Sequence, residues 1–279
     1  MNIKIRKIES LEEVHSLVLI GNKNMNFGQF IEGEKEKQYV KEKVEQDERT
    51  IILNLLDKLV IIEVIDENED YKLIENLRNA GKKTSTRLNK HKFSSVIIKN
   101  LGTSASTSLA YSEGIALGNY QFLKYFSNAG SLKNSLQNIY IQNNDLDDKE
   151  VDDLNNLVEA VYFARDLVNE PVSTLNAVSL ANEIENMNSS AGVKVTLFDK
   201  QKISELGMGG LLAVNKGSID PPTFTILEWK PKDKVNEQPY VLVGKGVVFD
   251  TGGLSLKPTK GSMDHMKSDM AGAAVVASS

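Results

Sequence analysis

Short apolar runs alternate along the chain with longer stretches of helical spacing. Near the start, Ile3, Ile5 and Ile8 stand among charges, the pattern of a half-buried strand. Ser16 to Ile20 reads SLVLI, a short apolar run followed by Gly21. From about Phe30 to Thr50 the chain is dominated by Glu, Lys and Gln, which predicts a solvated loop or hairpin. Leu59 to Ile65, LVIIEVI, is rich in β-branched residues and predicts a buried strand. Glu69 to Asn89 predicts an exposed helix, and Ser94 to Ile98 a further strand. Thr103 to Phe126 carries Leu109, Ala110, Gly114, Ala116, Leu117, Tyr120, Phe122 and Leu123 at helical spacing, so a core helix is expected there. Leu136 to Ile141 reads as a strand. The acidic turn Asp145 to Glu150 then opens a long helix to about Val168, its charges complementing the helix dipole.

That helix stops at Asn169-Glu170-Pro171, because a proline drives the residue before it out of helical geometry. The domain junction is expected within it, with a first domain at 1–150, a linker helix at 151–170 and a second domain at 171–279. Beyond it the pattern predicts a helix (Asn176 to Asn188), a strand (Val193 to Phe198), a short helix and a glycine cluster at Gly207, Gly209 and Gly210. Strands follow at Leu211 to Asn215 and Thr223 to Trp229, then a charged loop (Lys230 to Gln238) and an apolar strand, Tyr240 to Phe249. Strands alternating with helices predict the α/β class, with a mainly parallel central sheet sandwiched by helices. The last stretch, Met270 to Ser279, is small, apolar and helix-like, and carries no capping signal.

Composition narrows the function classes. The 279 residues suggest two domains, and 41% hydrophobic with 25% charged residues is ordinary for a globular chain. The absence of cysteine excludes disulfides, thiolate zinc sites, iron–sulfur clusters and a cysteine nucleophile, and it fits a reducing cytosol. A net charge of −5 argues against non-specific nucleic-acid binding, which needs a basic footprint. No run approaches the roughly 20 apolar residues that span a bilayer. The first ten residues lack the apolar core of a secretory signal. A cytoplasmic location is expected.

The densest chemistry lies at Val243 to Asp269, VGKGVVFDTGGLSLKPTKGSMDHMKSD. A dinucleotide fingerprint fails, because Gly244 and Gly246 are followed by Phe249 where the third glycine belongs, and the spacing of a phosphate-binding Walker loop fails too. His265 and Asp269, four residues apart, read as a local metal pair or as a solvent-facing histidine beside a helix start. Asp264 reads as a cap for that helix, and Lys260 and Lys267 as surface charges. For Lys245, Asp250, Lys257 and Asp269 two readings stand. One is a salt-bridge network around a turn. The other is a hard-cation hydrolase site, where carboxylates bridge divalent ions and no Ser or Cys nucleophile is needed. A lysine ligates metal only as the neutral amine, and a second, charged lysine can stabilise an oxyanion.

The stretch from Val243 to Ala274 resembles the signature of the leucyl aminopeptidases, peptidase family M17, which are dinuclear metallopeptidases. Phe163 to Ala181 resembles that family's junction segment, and Glu113 to Tyr125 its N-terminal domain helix. The resemblance implies a macro-like α/β domain followed by an α/β catalytic domain with a mainly parallel sheet. It implies that Lys245 and Asp269 ligate one metal, that Asp250 bridges two, and that catalytic Lys257 stabilises the gem-diolate. Met266 matches a position lining the S1 substrate pocket, with core packing as the alternative. The implied metals are zinc, manganese or magnesium. The implied reaction removes N-terminal residues, leucine or other bulky apolar ones, from peptides, and the implied assembly is a homo-hexamer.

The family's remaining Asp, Glu and Arg, the last holding a bicarbonate, lie in an Asn-Thr-Asp-Ala-Glu-Gly-Arg segment. No such segment occurs in these 279 residues. The expectation is therefore a catalytic domain represented by its first part, with weak metal binding and little peptidase activity. The alternatives are a DNA-binding architectural module and a non-catalytic partner subunit.

Overall fold

A computed structural model describes residues 3–10, 16–66, 70–188 and 191–279, which group into two units, Met1–Glu159 and Ala160–Ser279. Glu69, the predicted start of the exposed helix, lies outside the described residues.

In the first unit, the β-branched runs become β1 (Lys4–Lys7), β2 (Ser16–Asn22), β3 (Thr50–Asn54), β4 (Leu59–Ile65), β5 (Ser95–Leu101) and β6 (Asn138–Gln142). They form one sheet in the order β1-β6-β5-β2-β4-β3, parallel except for the β3–β4 pair. A parallel strand covered on both faces reads as a continuous apolar run, and all seven residues of β4 are buried. One core cluster gathers Leu19, Ile51, Val60 and Ile62 with Phe27, Ile31 and Val40.

Helices α1 (Glu34–Glu45), α2 (Tyr71–Lys90), α3 (Ala105–Gly118) and the single turn α4 (Ala129–Leu132) complete this unit's elements before the long α5 (Asp148–Asn169), within which the two units divide. Helix α1 corrects the expected loop. Glu, Lys and Gln are strong helix formers, and Val40, buried among Phe27 and Ile31, supplies the anchor that a charge count does not see. Helix α2 is not simply exposed. It buries Leu77, Gly81, Thr84, Ser85 and Leu88, and meets α3 so closely that a Cβ on Gly114 would lie 2.0 Å from the Arg78 carbonyl oxygen. Helix α3 ends at Gly118, not near Phe126, because the Asn119 side chain turns to donate to Leu136 O.

One buried acid sits in this core. Glu63, 5% exposed on β4, accepts from Thr50 Oγ1 (2.7 Å) and Tyr111 Oη (3.0 Å), and Tyr111 shares a further bond with Thr84 (2.7 Å). Burial pushes the Glu63 carboxyl up and the Tyr111 phenol well up.

The second unit holds α6 (Ala177–Asn188), β7 (Lys194–Phe198), α7 (Lys200–Glu205), α8 (Gly209–Asn215), β8 (Phe224–Glu228) and α9 (Ala271–Ser278). Strands β7 and β8 pair antiparallel. Leu167, Leu175, Leu180, Ile184, Met270, Ala274 and Ala277 form its core. Two strand expectations fail here. Leu211 to Asn215 is helical, since a five-residue apolar run fits either element and Gly209 and Gly210 extend it to two turns. Tyr240 to Phe249 joins no ladder, and Tyr240 and Val243 are 90% and 89% exposed. No helix among the described residues is long and apolar enough to cross a membrane.

Candidate active site

Two short segments of the second unit bring the predicted residues together. The first is the backbone around Lys245, pressed against the start of α9. A Cβ on Gly244 would lie 2.5 Å from the Gly272 carbonyl oxygen, and one on Gly272 would lie 2.9 Å from the Lys245 nitrogen. Ala273 N–H donates to the Lys245 carbonyl at 2.9 Å. Met270 and Ala274, both fully buried, seat the helix from its other side. The small residues of the MAGAA run are therefore a contact surface, which explains their size. Asp269 stands just before α9, closing a 3-10 turn that spans Met263–Ser268.

The second segment is the loop from Asp250 to Lys257. Gly252 N–H donates to Asp250 Oδ1 at 2.8 Å, and Lys257 N–H donates to Thr251 O at 2.9 Å. Gly252 holds a φ of 89°, in the left-handed region, where a Cβ would also strike Ser255 O at 2.4 Å. The adjacent glycines thus let the loop fold back and return Lys257 to the aspartate.

The side chains converge. Lys245 Nζ lies 2.6 Å from Asp269 Oδ2 and 3.9 Å from Asp250 Oδ2, while Lys257 Nζ lies 3.0 Å from the same Asp250 oxygen. Lys257 Nζ also reaches the Met266 sulfur at 3.5 Å. All five predicted site residues therefore meet. Contact with the Asp269 carboxylate, with Asp250 beyond it, holds the Lys245 ammonium above its ordinary range. The Gly252 N–H, then the Lys257 ammonium, hold the Asp250 carboxyl below its own.

Asp269 Oδ2 shows what this cluster suits. It is buried and has no donor in hydrogen-bonding geometry. The Lys245 ammonium compensates its charge from 2.6 Å without that alignment. An amine nitrogen beside two carboxylates makes a hard nitrogen–oxygen donor set suited to a divalent cation. Among the described residues no three His, Cys, Asp or Glu side chains cluster for a metal; here the third donor is lysine. The set fits one divalent ion held by Lys245, Asp250 and Asp269. Two such ions carry twice the charge that two carboxylates neutralise.

The remaining candidates separate. His265 is exposed and faces Asp264, at 3.8 Å. Asp264 does not cap a helix: the cap position is Ser262, and Asp264 Oδ2 accepts from Gly261 N–H (3.2 Å) inside the turn. Lys267 is not a free surface charge. Its ammonium donates to Val168 O (2.8 Å) and Asn169 O (3.1 Å), tying the turn before Asp269 to the end of α5. Sequence reading missed this role. The available signal was that a helix stopping before Pro171 leaves carbonyls that a lysine can satisfy.

Residues 162–279 match the model of the cytosol aminopeptidase family, catalytic domain. A probable cytosol aminopeptidase of Chlorobaculum tepidum is 62% identical over 113 residues, 40% of this chain and 22% of that protein. The probable cytosol aminopeptidase of Clostridium tetani is 37% identical over 205 residues, 71% of this chain and 41% of that protein. A solved mutant of tomato leucine aminopeptidase shares the fold at a TM-score of 0.79 and 21% identity, over 99% of this chain and 58% of that one. The bottromycin maturation enzyme BotP in complex with Mn matches at a TM-score of 0.72 and 26% identity, over 94% of this chain and 55% of that one. The chain thus spans less than half the length of these curated relatives and somewhat more than half of these solved structures.

Proposed function

The chain belongs to the cytosol aminopeptidase family, and from that premise we propose that its second unit supplies metal ligands and a catalytic lysine to a metal-dependent aminopeptidase site. The carrying observation is that Lys245 lies between the buried, unaligned Asp269 Oδ2 (2.6 Å) and Asp250 Oδ2 (3.9 Å), with Lys257 3.0 Å from the latter. In this reading Lys245 and Asp269 would hold one divalent ion, zinc, manganese or magnesium, and Asp250 would serve both that ion and a second. The Mn complex of BotP, a relative in fold and sequence, supports a divalent metal. When bound, such ions supply Lewis-acid polarisation and a hydroxide at neutral pH.

The chain's own residues do the rest. Lys245 gives up its proton to become a neutral ligand, so metal and proton compete for one nitrogen. Lys257, 3.0 Å from the Asp250 carboxylate in this structure, would lose that partner to the extent that Asp250 served as a metal ligand. Lys257 is then free to donate to the oxygen that gains charge as an amide carbonyl is attacked, a role aimed at the transition state. Met266, against Lys257, gives an adaptable apolar wall for the side chain of an N-terminal leucine or other bulky apolar residue. The proposed substrates are peptides with a free amino terminus. A macro-like first domain, a homo-hexamer and a bicarbonate base belong to the same proposal for the whole enzyme.

Two carboxylates leave a dinuclear site short of anionic ligands, so this set alone is expected to bind the first ion better than the second. Titration with Mn²⁺ tests the assignment: one site, weakened at least tenfold in Asp269→Asn and in Asp250→Asn, supports it. Unchanged affinity in both variants overturns it. Hydrolysis of leucine 4-nitroanilide that follows Mn²⁺ occupancy and fails in Lys257→Met supports the reaction. Equal hydrolysis of the N-acetylated substrate defeats the aminopeptidase reading.

A further inference from the structure

The carboxylate of Asp269 stands between two anchors. On the side before it, Lys267 donates to Val168 O (2.8 Å) and Asn169 O (3.1 Å) at the end of α5. On the side after it, fully buried Met270 belongs to the core cluster that also holds Leu167, from the same last turn of α5. Asp269 itself adds a local bond, from its N–H to Met266 O at 3.2 Å. The end of α5 thus grips the chain on both flanks of the proposed ligand.

The grip has a physical cause. The last carbonyls of a helix have no N–H ahead of them in the helix, and that end carries partial negative charge. Pro171 brings no N–H, and α5 has no basic residue in its own last turn. An ammonium with three donors answers both needs, and a charged donor makes the stronger hydrogen bond. Lys267 supplies it from the far end of the sequence, so satisfying the helix and seating the 3-10 turn Met263–Ser268 are one event.

The seat matters most at Asp269. Its buried Oδ2 has no donor in hydrogen-bonding geometry, so its direction is set less by partners of its own than by the backbone that carries it. A ligand already held in place gives up little freedom when it takes an ion. Resting on the metal-site reading above, we propose that Lys267 is a positioning residue: it fastens the turn before Asp269 to the end of α5, and so holds that carboxylate ready for a divalent cation. Lys267 acts through Asp269 and is not itself a ligand.

Two measurements on the whole chain test this. The first is calorimetric titration with Mn²⁺. Lys267→Met should weaken binding about tenfold or more, the scale of a lost supporting partner. Lys267→Arg, whose fork can reach two carbonyls, should stay within about threefold of wild type. Lys260→Met, at an exposed lysine of the neighbouring loop, should change nothing. The second is amide hydrogen exchange in metal-free protein, read residue by residue by NMR. In Lys267→Met the Asp269 and Ala273 amides, bonded to Met266 O and Lys245 O, should exchange about tenfold faster or more, while the Lys257 amide, bonded to Thr251 O, keeps its rate.

Wild-type binding that Asp269→Asn weakens but Lys267→Met does not overturns the positioning role and leaves the metal site standing. No Mn²⁺ binding by the wild type, or binding that Asp269→Asn leaves unchanged, overturns the metal reading and this inference with it. Unchanged exchange at Asp269 and Ala273 in Lys267→Met overturns the clamp itself. Faster exchange at all three amides, or an affinity loss that Lys267→Arg does not restore, reduces Lys267 to general stability and overturns the proposal. If circular dichroism shows Lys267→Met unfolded, Lys267→Gln takes its place with the same outcomes.

Discussion

Two apolar segments of similar composition meet opposite fates. Strand β4, LVIIEVI, lies between β2 and β3 with every residue buried. Tyr240 to Phe249, YVLVGKGVVF, is as apolar in its first four residues, yet it joins no ladder and those four side chains stand in solvent. Both satisfy the local rule for a strand. What separates them is a neighbour: β4 has two flanking strands, and the later segment has no flanking strand among the described residues, only the start of α9 beside Gly244. A strand's stability belongs to the sheet, since its hydrogen bonds and its burial are both supplied by others.

The contrast can be broken by substitution. Ile62→Ala, at a fully buried position of β4, is expected to destabilise the first unit by about 2–5 kcal/mol, read as a shifted urea midpoint in far-ultraviolet circular dichroism. A shift below 1 kcal/mol would mean that β4 is not the core it looks. Gly244→Val tests whether the exposed segment is nonetheless fixed at one point. Its side chain has no room beside Gly272, so Mn²⁺ affinity should fall at least tenfold, about 1.4 kcal/mol, through displacement of Lys245. Retained affinity would show that Lys245 reaches the metal without that packing.

Proton linkage sharpens the same comparison. In the second unit the Lys245 ammonium is held above its ordinary pKa, so metal must displace a proton throughout the neutral range. Mn²⁺ affinity should rise by up to about tenfold per pH unit between about pH 6 and 8, and lose that slope in Lys245→Met. A flat wild-type profile would remove Lys245 from the ligand set. In the first unit the folded Glu63 carboxyl titrates above its unfolded value, with Arg87 and Lys83 opposing the shift and Tyr111 and Thr50 bonded to it. The folded state binds that proton more tightly, so its stabilising contribution is full below the unfolded pKa, near 4.5, and is lost as pH rises through the folded one. Glu63→Gln should flatten the stability profile over that window in urea titrations; an unchanged slope would place the titration elsewhere. The smallest effect belongs to Val241→Ala in the exposed segment, within about 0.5 kcal/mol by the same unfolding assay.

How much was legible follows from the same distinction. Strands β2, β4 and β5 were readable because burial on both faces writes itself as a continuous β-branched run. Helix α1 was not, because its anchor, Val40, packs on Phe27 and Ile31 from outside the helix. Residues 211–215 were ambiguous because five apolar residues carry no period. The site was legible as a motif, from Lys245 to Asp269, since its residues lie within one short stretch. Their convergence was not, because it depends on the left-handed Gly252 and on the contact of Gly244 with Gly272. Lys267 went unrecognised because its partners, the carbonyls of Val168 and Asn169, are about a hundred positions away.

The seam between Gly244 and α9 gives the site two independently tolerant parts. Lys245 and Asp269 ride on one block, joined through the Ala273 bond and the buried Met270, whereas Asp250 and Lys257 ride on a loop closed by its own hydrogen bonds. Substituting a ligand changes which ion is held. A side chain at Gly272 would come within 2.9 Å of the Lys245 nitrogen and shift that block against the loop. In the proposed site the spacing between the two parts, and with it the preferred cation size, is therefore expected to respond to residues that carry no charge, and a search for variants that prefer a larger or smaller cation should begin at that seam.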